Sequence, residues 1–519
     1  VHPRKFIRDS IGIAFSQYVV RMVLMARGLV AARLLGPQAF GAWNGLSLIL
    51  DYGVLATFGT QQGLDQVVPG RIVAGDADAL RRVKRAGLFN ILLLSSVFGL
   101  VVLSYFAASS GRLRDFWGLG GIAAMLGCAT LTCVSFYHLT LLRSHGDTAT
   151  LSSWNLIQGI AGAVIGLALL PFIGAWGLLI GWCVGAAAAA WHVRVRGRAL
   201  APLSPSPARE SLLLLSVGFP MFLFNGSNLM MRTFDRLVIL RLLGTEALGY
   251  YSLGVMALAL MLYLPDSVAY VLYPQLQKRY HEAGDRPEVL HDPFERTMRT
   301  LALLVPIFCG MVYLAAEDVV AWVLPTYVHG LVPLKVLGFG AAGLALANLS
   351  SIALMTLGRR MVLVPAAFFM VGLGVALDLL AVRQGLGIAG VAWATITAYT
   401  LNGVVMLWLA GGALRVGYGR RFAQMVTGFS PLVIGVGLAL FLDQALPWPD
   451  AVAGKRAFLR LLLGLPLFVG IYALAVYPLA RGLGLRQLAS EFHLPGASLL
   501  MRASERVAAD RAKRDGKDR

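Results

Sequence analysis

Apolar runs of at least about 18 residues follow one another along nearly the whole chain, separated by short polar breaks. Few architectures accommodate that pattern. In hydrocarbon every backbone N–H and C=O must be satisfied by protein, so the runs favour spanning helices over the weak alternation of a transmembrane barrel. With 58% hydrophobic and 14% charged residues, the 519-residue chain carries too little polar surface to coat a soluble globule. The expected fold is that of an all-α integral membrane protein.

Runs at 11–34, 41–63, 86–108, 117–142, 150–170 and 174–192 predict six helices. The first has no small-residue cleavage site and is too long for a signal-peptide core, so it is expected to remain as a span. Residues 193–211 place Arg194, Arg196, Arg198 and Arg209 among Pro202, Pro205 and Pro207, a composition that cannot continue a buried helix and reads as a cytoplasmic linker. Six more runs follow at 212–240, 247–274, 299–320, 332–357, 361–381 and 387–411, then two without counterparts at 428–446 and 459–480. The expectation is fourteen transmembrane helices. They divide into a six-helix bundle over 1–192, a second over 212–411, an extra helix pair within 412–481, and a basic cytoplasmic tail from 482 to 519.

A repeat supports that division. The segment Ala32–Trp43 recurs 208 positions later as Leu240–Tyr251, with Arg33, Leu34, Leu35, Gly36, Ala39 and Gly41 repeated as Arg241, Leu242, Leu243, Gly244, Ala247 and Gly249. A glycine-punctuated polar turn between two apolar runs is the tip of a helical hairpin, and finding it twice points to a duplicated bundle. Gly174–Gly177 and Gly387–Gly390 echo each other at the far end of the repeat.

The net charge of +19 follows the same topology. Lys and Arg concentrate in the breaks on the amino-terminal side, so both termini are expected in the cytoplasm, with Lys455, Arg456 and Arg460 running against the trend. A basic excess of this origin needs no nucleic acid. Cys128, Cys133, Cys183 and Cys309 lie in apolar runs without metal-ligand spacing, as packing residues do. No phosphate loop, metal-ligand cluster or nucleophile arrangement stands out, so no cofactor, no metal and no ATP-driven step is expected.

The informative residues are charges inside the runs, each costing about 2.5 to 3.5 kcal/mol on insertion scales unless paired or hydrated. Arg21 and Arg27 lie in the first run and Asp51 in the second; Arg27 and Asp51 sit at similar depth and form a candidate pair. Arg232, Asp235 and Arg236 share the seventh run, where spacings of three and four allow a local ion cluster, and Asp235 occupies the repeat position of Arg27. Asp266, beside Pro265, and Asp378 complete the set. Two readings stand: paired charges that fix helix register, or arginines that line a cavity for an anion. His138 reads as an interfacial or hydrogen-bonded histidine.

The opening helix ending in Ala31-Ala32-Arg33-Leu34-Leu35-Gly36-Pro37, followed by Phe40-Gly41-Ala42-Trp43, resembles the first hairpin of the polysaccharide, or O-antigen, flippases. Phe234-Asp235-Arg236, Gly249-Tyr250-Tyr251, Leu272-Tyr273-Pro274 and the stretch from Gly387 to Thr395 are similar to later helices of that family. It belongs with lipid II flippases and multidrug-and-toxin extruders to the multidrug/oligosaccharidyl-lipid/polysaccharide exporter superfamily. The resemblance implies two bundles around a cavity that opens alternately to each side of the cell inner membrane. It also implies a cargo, an undecaprenyl-pyrophosphate-linked glycan bound for lipopolysaccharide or another surface polysaccharide, and dealings with membrane lipid and other polysaccharide assembly proteins. Arg21, Arg27, Arg232 and Arg236 would then hold the pyrophosphate, and Asp51, Asp235, Asp266 and Asp378 would serve as ion-pair or coupling carboxylates. A multidrug-and-toxin extruder is the nearest alternative, and a polytopic polymerase or ligase of the same pathway a more distant one. Neither the flippase nor the extruder is an enzyme.

Overall fold

A computed structural model of the protein describes residues 3–109, 111–144, 148–196, 208–445 and 460–480. Among these residues there is no strand. Most of the expected linker (197–207), the last turn with Lys455 and Arg456, and the tail from 481 lie outside the described residues. Twelve helices among the described residues are long and apolar enough to cross a membrane. The chain is therefore an all-helical integral membrane protein.

The first two expected spans form one element, α1 (Pro3–Leu55), broken only at Gly36, and neither is among those twelve. Gly36 has φ 72°, and its repeat counterpart Gly244, between α8 (Ala208–Leu242) and α9 (Thr245–Glu282), has φ 103°. Only glycine enters that left-handed region without a Cβ penalty, so the repeated Leu-Leu-Gly is where the chain reverses. The second expected span departs from its reading as one helix. It unwinds at residues 56–59, where Phe58 has φ 45° and Gly59 φ 92°, and resumes as α2 (Thr60–Val73). The cause is tertiary: Gly59 lies against the backbone of Gly218 in α8, a contact that a side chain would fill.

Helices α3 (Ala77–Ala108), α4 (Arg112–Ser144), α5 (Thr148–Leu156) with a π turn into α6 (Gly162–Ile173), and α7 (Ala175–Arg196) complete the first group. Gly162 and Gly166 meet Gly177, Gly181 and Gly185 backbone to backbone, the small-residue packing that brings α6 and α7 close without a hydrophobic driving force. The second group continues with α10 (His291–Val323), α11 (Leu331–Thr356), α12 (Arg360–Arg383) and α13 (Gly387–Ala413). Its axis is α11, buried along most of its length between α9, α10 and α13. Two last helices, α14 (Tyr418–Ala445) and α15 (Leu465–Ala480), pack on α10. Phe468 fills the space left by Gly310, and the Tyr472 hydroxyl donates to the Leu303 carbonyl at 3.0 Å.

Lys335 is largely enclosed, donating to Glu317 at 2.6 Å and Asp443 at 3.3 Å and lying 4.6 Å from the Tyr313 ring. It ties α10, α11 and α14 together.

Candidate functional site

The two helix groups meet along a seam where α1 faces α9, and α2 and α3 face α8. At the tip end the repeats close on each other. A Cβ on Gly41 would fall on the Thr245 carbonyl, and one on Gly249 would fall on the Pro37 carbonyl. Under the 208-residue offset these are the same contact made twice, the signature of a pseudo-two-fold axis. A short 3-10 segment, Pro325–Gly330, covers the tips: the Tyr327 hydroxyl donates to the Ala32 carbonyl at 2.9 Å, and its ring packs on Phe40 and Tyr250.

The linker end is also closed between α2, α3 and α8. Gly59 meets Gly218, Gly63 meets Leu214, Arg82 pairs with Glu210 at 3.1 Å, and the Asn90 amide donates to the Ser211 carbonyl at 3.2 Å.

Between the two closures, charges converge on one turn of α9. Arg21 of α1 stacks over the Tyr263 ring at 4.7 Å, with Tyr18 donating to Ser267 at 2.6 Å one turn away. From α8, Arg232 grips both oxygens of Asp266 at 3.3 and 3.5 Å, and Asn348 of α11 donates to the same carboxylate at 3.2 Å. Two guanidinium groups from opposite helix groups thus face residues 263 and 266. Arg21 has no carboxylate partner among the described residues. The void beside Arg232 is about 20 Å³, room for a single water. Nearby, Tyr52 and Thr233 share a hydrogen bond of 2.7 Å across the seam, and the charge of Arg236 reaches Asp51.

Two expected pairings do not form. Arg27 does not meet Asp51. It is 8% exposed inside the first helix group, with its guanidinium 5.6 Å from the Trp43 ring and 5.3 Å from the Trp182 ring, and its Nε and Nη1 lack hydrogen-bond partners. Similar depth is not the same face: Gly28, the next residue, is the one that faces α9, through Met256. Nor do Arg232, Asp235 and Arg236 form a local cluster. Arg232 turns to Asp266, and Arg236 bends back to the Arg232 carbonyl at 3.3 Å while its backbone N–H donates to Asp235 at 2.8 Å.

Asp235 belongs to a second constellation. Its carboxylate, 4% exposed, accepts from the Tyr251 hydroxyl at 2.6 Å; Tyr251 and Thr395 are 3.2 Å apart, and Thr395 donates to Asp378, 3% exposed, at 3.3 Å. Neither carboxylate has a basic side chain within ion-pair distance among the described residues. Helices α8, α9, α13 and α12 each contribute one member, beside a void of about 10 Å³. Tyr251 and Thr395 stood in the quoted motifs with no role attached. A hydroxyl inside an apolar run was their signal, because a buried hydroxyl needs a partner. His138 is buried with Nδ1 against the Val134 carbonyl at 2.8 Å, a helix-side contact, while its Nε2 has no partner among the described residues. Among the described residues no group of three or more His, Cys, Asp or Glu side chains could hold a metal.

A family model described as "Polysaccharide biosynthesis protein" matches residues 30–333. No curated protein is significantly similar to the chain in sequence. Among solved structures, an inward-facing multidrug resistance MATE family transporter of the MOP superfamily superposes with TM-score 0.63 at 15% identity, covering 78% of this chain and 98% of that one. A MOP superfamily transporter from Pyrococcus furiosus, described as having a binding pocket of reverse polarity that suggests a different function, gives 0.58 at 16% identity over 79% and 95%. An outward-facing MATE family transporter gives 0.56 at 16% identity over 78% and 95%. The shared property at these identities is the fold.

Proposed function

The chain belongs to the polysaccharide biosynthesis protein family, and on that premise we propose that it carries an undecaprenyl-pyrophosphate-linked oligosaccharide across the inner membrane by alternating access. The observation that carries this reading is the convergence of Arg21 and Arg232, from opposite helix groups, on one turn of α9. A diphosphate is recognised by planar, bidentate donors, and two guanidinium groups across a seam would bind it only where the groups can part around it. Arg21 is free of carboxylates among the described residues, and Arg232 would exchange Asp266 for the substrate. The single-water void then corresponds to a state between loads.

Alternating access follows from the two closures. Separating Gly41 from Thr245 and Gly249 from Pro37 would open the tip end, and separating Gly59 from Gly218 and Arg82 from Glu210 would open the linker end. In the cell the tips would face the periplasm, the linker and both termini the cytoplasm, with fourteen helices in two bundles of six plus a pair. The lipid tail would stay in the bilayer, and the protein would do no covalent chemistry. Asp235 and Asp378 would couple the cycle to an ion gradient.

The test is export in cells that depend on this protein. Arg21→Ala and Arg232→Ala, inserted at normal levels, should each cut export at least about tenfold, the loss of one charge-assisted contact of 1.5 to 3 kcal/mol. Lipid-linked intermediate should accumulate on the cytoplasmic leaflet. Normal export by both variants would refute the anion site. A cation exporter of the multidrug type is the second reading, favoured by Asp51 and Asp266 at the same seam; efflux of a cationic dye without any change in lipid-linked intermediates would select it.

A further inference from the structure

A groove of about 1270 Å³ lies on the flank where α2 and α3 meet α8. We propose that it holds an anionic, phosphate-headed diacyl lipid from the leaflet on the linker side, bound as a wedge across the seam. The groove is cationic at one end and apolar at the other. At its head stand Arg71 of α2, Arg82 of α3 and Arg209 of α8. Two acids share that end, but both are committed: Asp76 caps α3 by accepting from the Ala79 N–H at 2.8 Å, and Glu210 pairs with Arg82. Arg71 and Arg209 are left without a carboxylate partner among the described residues. They sit on opposite sides of the seam, so one phosphate between them would bridge the two helix groups.

Dimensions select the ligand. From Arg82 to Val97, which lines the apolar end, is roughly 22 Å at 1.5 Å per residue, close to half the 40 to 45 Å of a bilayer with its headgroups. The groove thus spans one leaflet from headgroup to midplane. Its volume exceeds the roughly 300 to 1000 Å³ of a small-molecule pocket, as an amphiphile with two chains requires. Its apolar walls include Leu212, Phe219 and Val97, all exposed at the protein surface as lipid-facing residues are.

A polyprenyl carrier is the competing occupant, and the contacts disfavour it. Gly59 on Gly218 and Gly63 on Leu214 shut the groove off from Arg21 and Arg232, so a carrier here would have no path to the central charges in this state. A resident phospholipid needs no such path. It stabilises the closed linker end by joining Arg71 to Arg209, and it must leave or slide before α2 and α8 can part. This inference does not depend on what the seam transports.

The experiment is native mass spectrometry of the full chain released from membranes of phosphatidylglycerol and phosphatidylcholine. The intact protein should retain one phosphatidylglycerol in preference to phosphatidylcholine. The double variant Arg71→Gln with Arg209→Gln should lose that retention about tenfold or more, each arginine at an anionic headgroup being worth about fivefold. Val97→Trp, which fills the trough at an exposed position and leaves the arginines intact, should lower retention too and keeps the test decisive if the double variant is unstable. Equal retention of the two lipids, unchanged retention in these variants, or displacement by equimolar undecaprenyl pyrophosphate would overturn the proposal.

Discussion

Gly41 and Gly249, equivalent positions of the two repeats, each rest on the backbone of the other's hairpin tip: Gly41 on Thr245, Gly249 on Pro37. A repeat detectable in sequence has become a contact between its own copies. Because both partners are main-chain atoms, neither can rotate away as a side chain would. The contact is therefore either made at full van der Waals proximity or lost.

Gly41→Leu should drive the tips apart. With the native cysteines replaced, a cysteine at Met256, which lies against Gly28 deeper in the seam, should be shielded from an impermeant thiol reagent in the parent. In the Gly41→Leu background its labelling should rise several-fold. Unchanged labelling in a folded protein would mean that the tips do not gate the seam.

Arg27 yields the opposite expectation from its neighbours on the seam. Its guanidinium is boxed by Trp43 and Trp182 with two nitrogens unsatisfied, so its stacking, about 0.5 to 2 kcal/mol, works against the burial of a charge. Arg27→Met should leave export near normal and thermal stability unchanged or raised. A loss of export comparable to that of Arg232→Ala would return Arg27 to the substrate site.

Asp235 and Asp378, joined through Tyr251 and Thr395, form a buried pair of like groups. Among the described residues Arg236 is the one neighbouring cation that acts on Asp235, and it lies outside ion-pair distance, so two charges taken from water here would still cost several kcal/mol, and the pair is suited to hold one exchangeable proton or alkali cation. Asp378→Asn should slow turnover and abolish its response to the driving gradient, while lipid-pyrophosphate binding persists. Varying the pH difference and the sodium difference separately identifies the ion. Retained coupling in a stable Asp378→Asn protein would show that the network only braces α8, α9, α12 and α13.

Sidedness is testable at Asp285, an exposed residue with φ 60° in the turn after α9. A cysteine there should resist an impermeant reagent in intact cells and react after permeabilisation. Ready labelling in intact cells would invert the topology.

Much of the scaffold was legible in the residues. A run of some twenty apolar residues has one stable state in hydrocarbon, so the positions of the helices follow from hydropathy alone. The reversals at Gly36 and Gly244 follow from the repeat and from the backbone freedom of glycine. The interruption at Phe58 and Gly59 was not legible, because nothing local calls for it; it exists where Gly218 of another helix comes close.

The charges divide along the same line. Sequence alone determined that Arg21, Arg27, Asp51, Arg232, Asp235, Arg236, Asp266 and Asp378 would lie within apolar helices, and roughly at what depth, because depth is a count of residues along an axis. Only the tertiary structure decided partners: Asp266 rather than Asp235 for Arg232, two tryptophans rather than Asp51 for Arg27, and Tyr251 with Thr395 between Asp235 and Asp378. Spacings of three or four offer neighbours within one helix. A neighbour on another helix depends on how each helix is rotated about its own axis, and that rotation is set by the packing of all its faces at once.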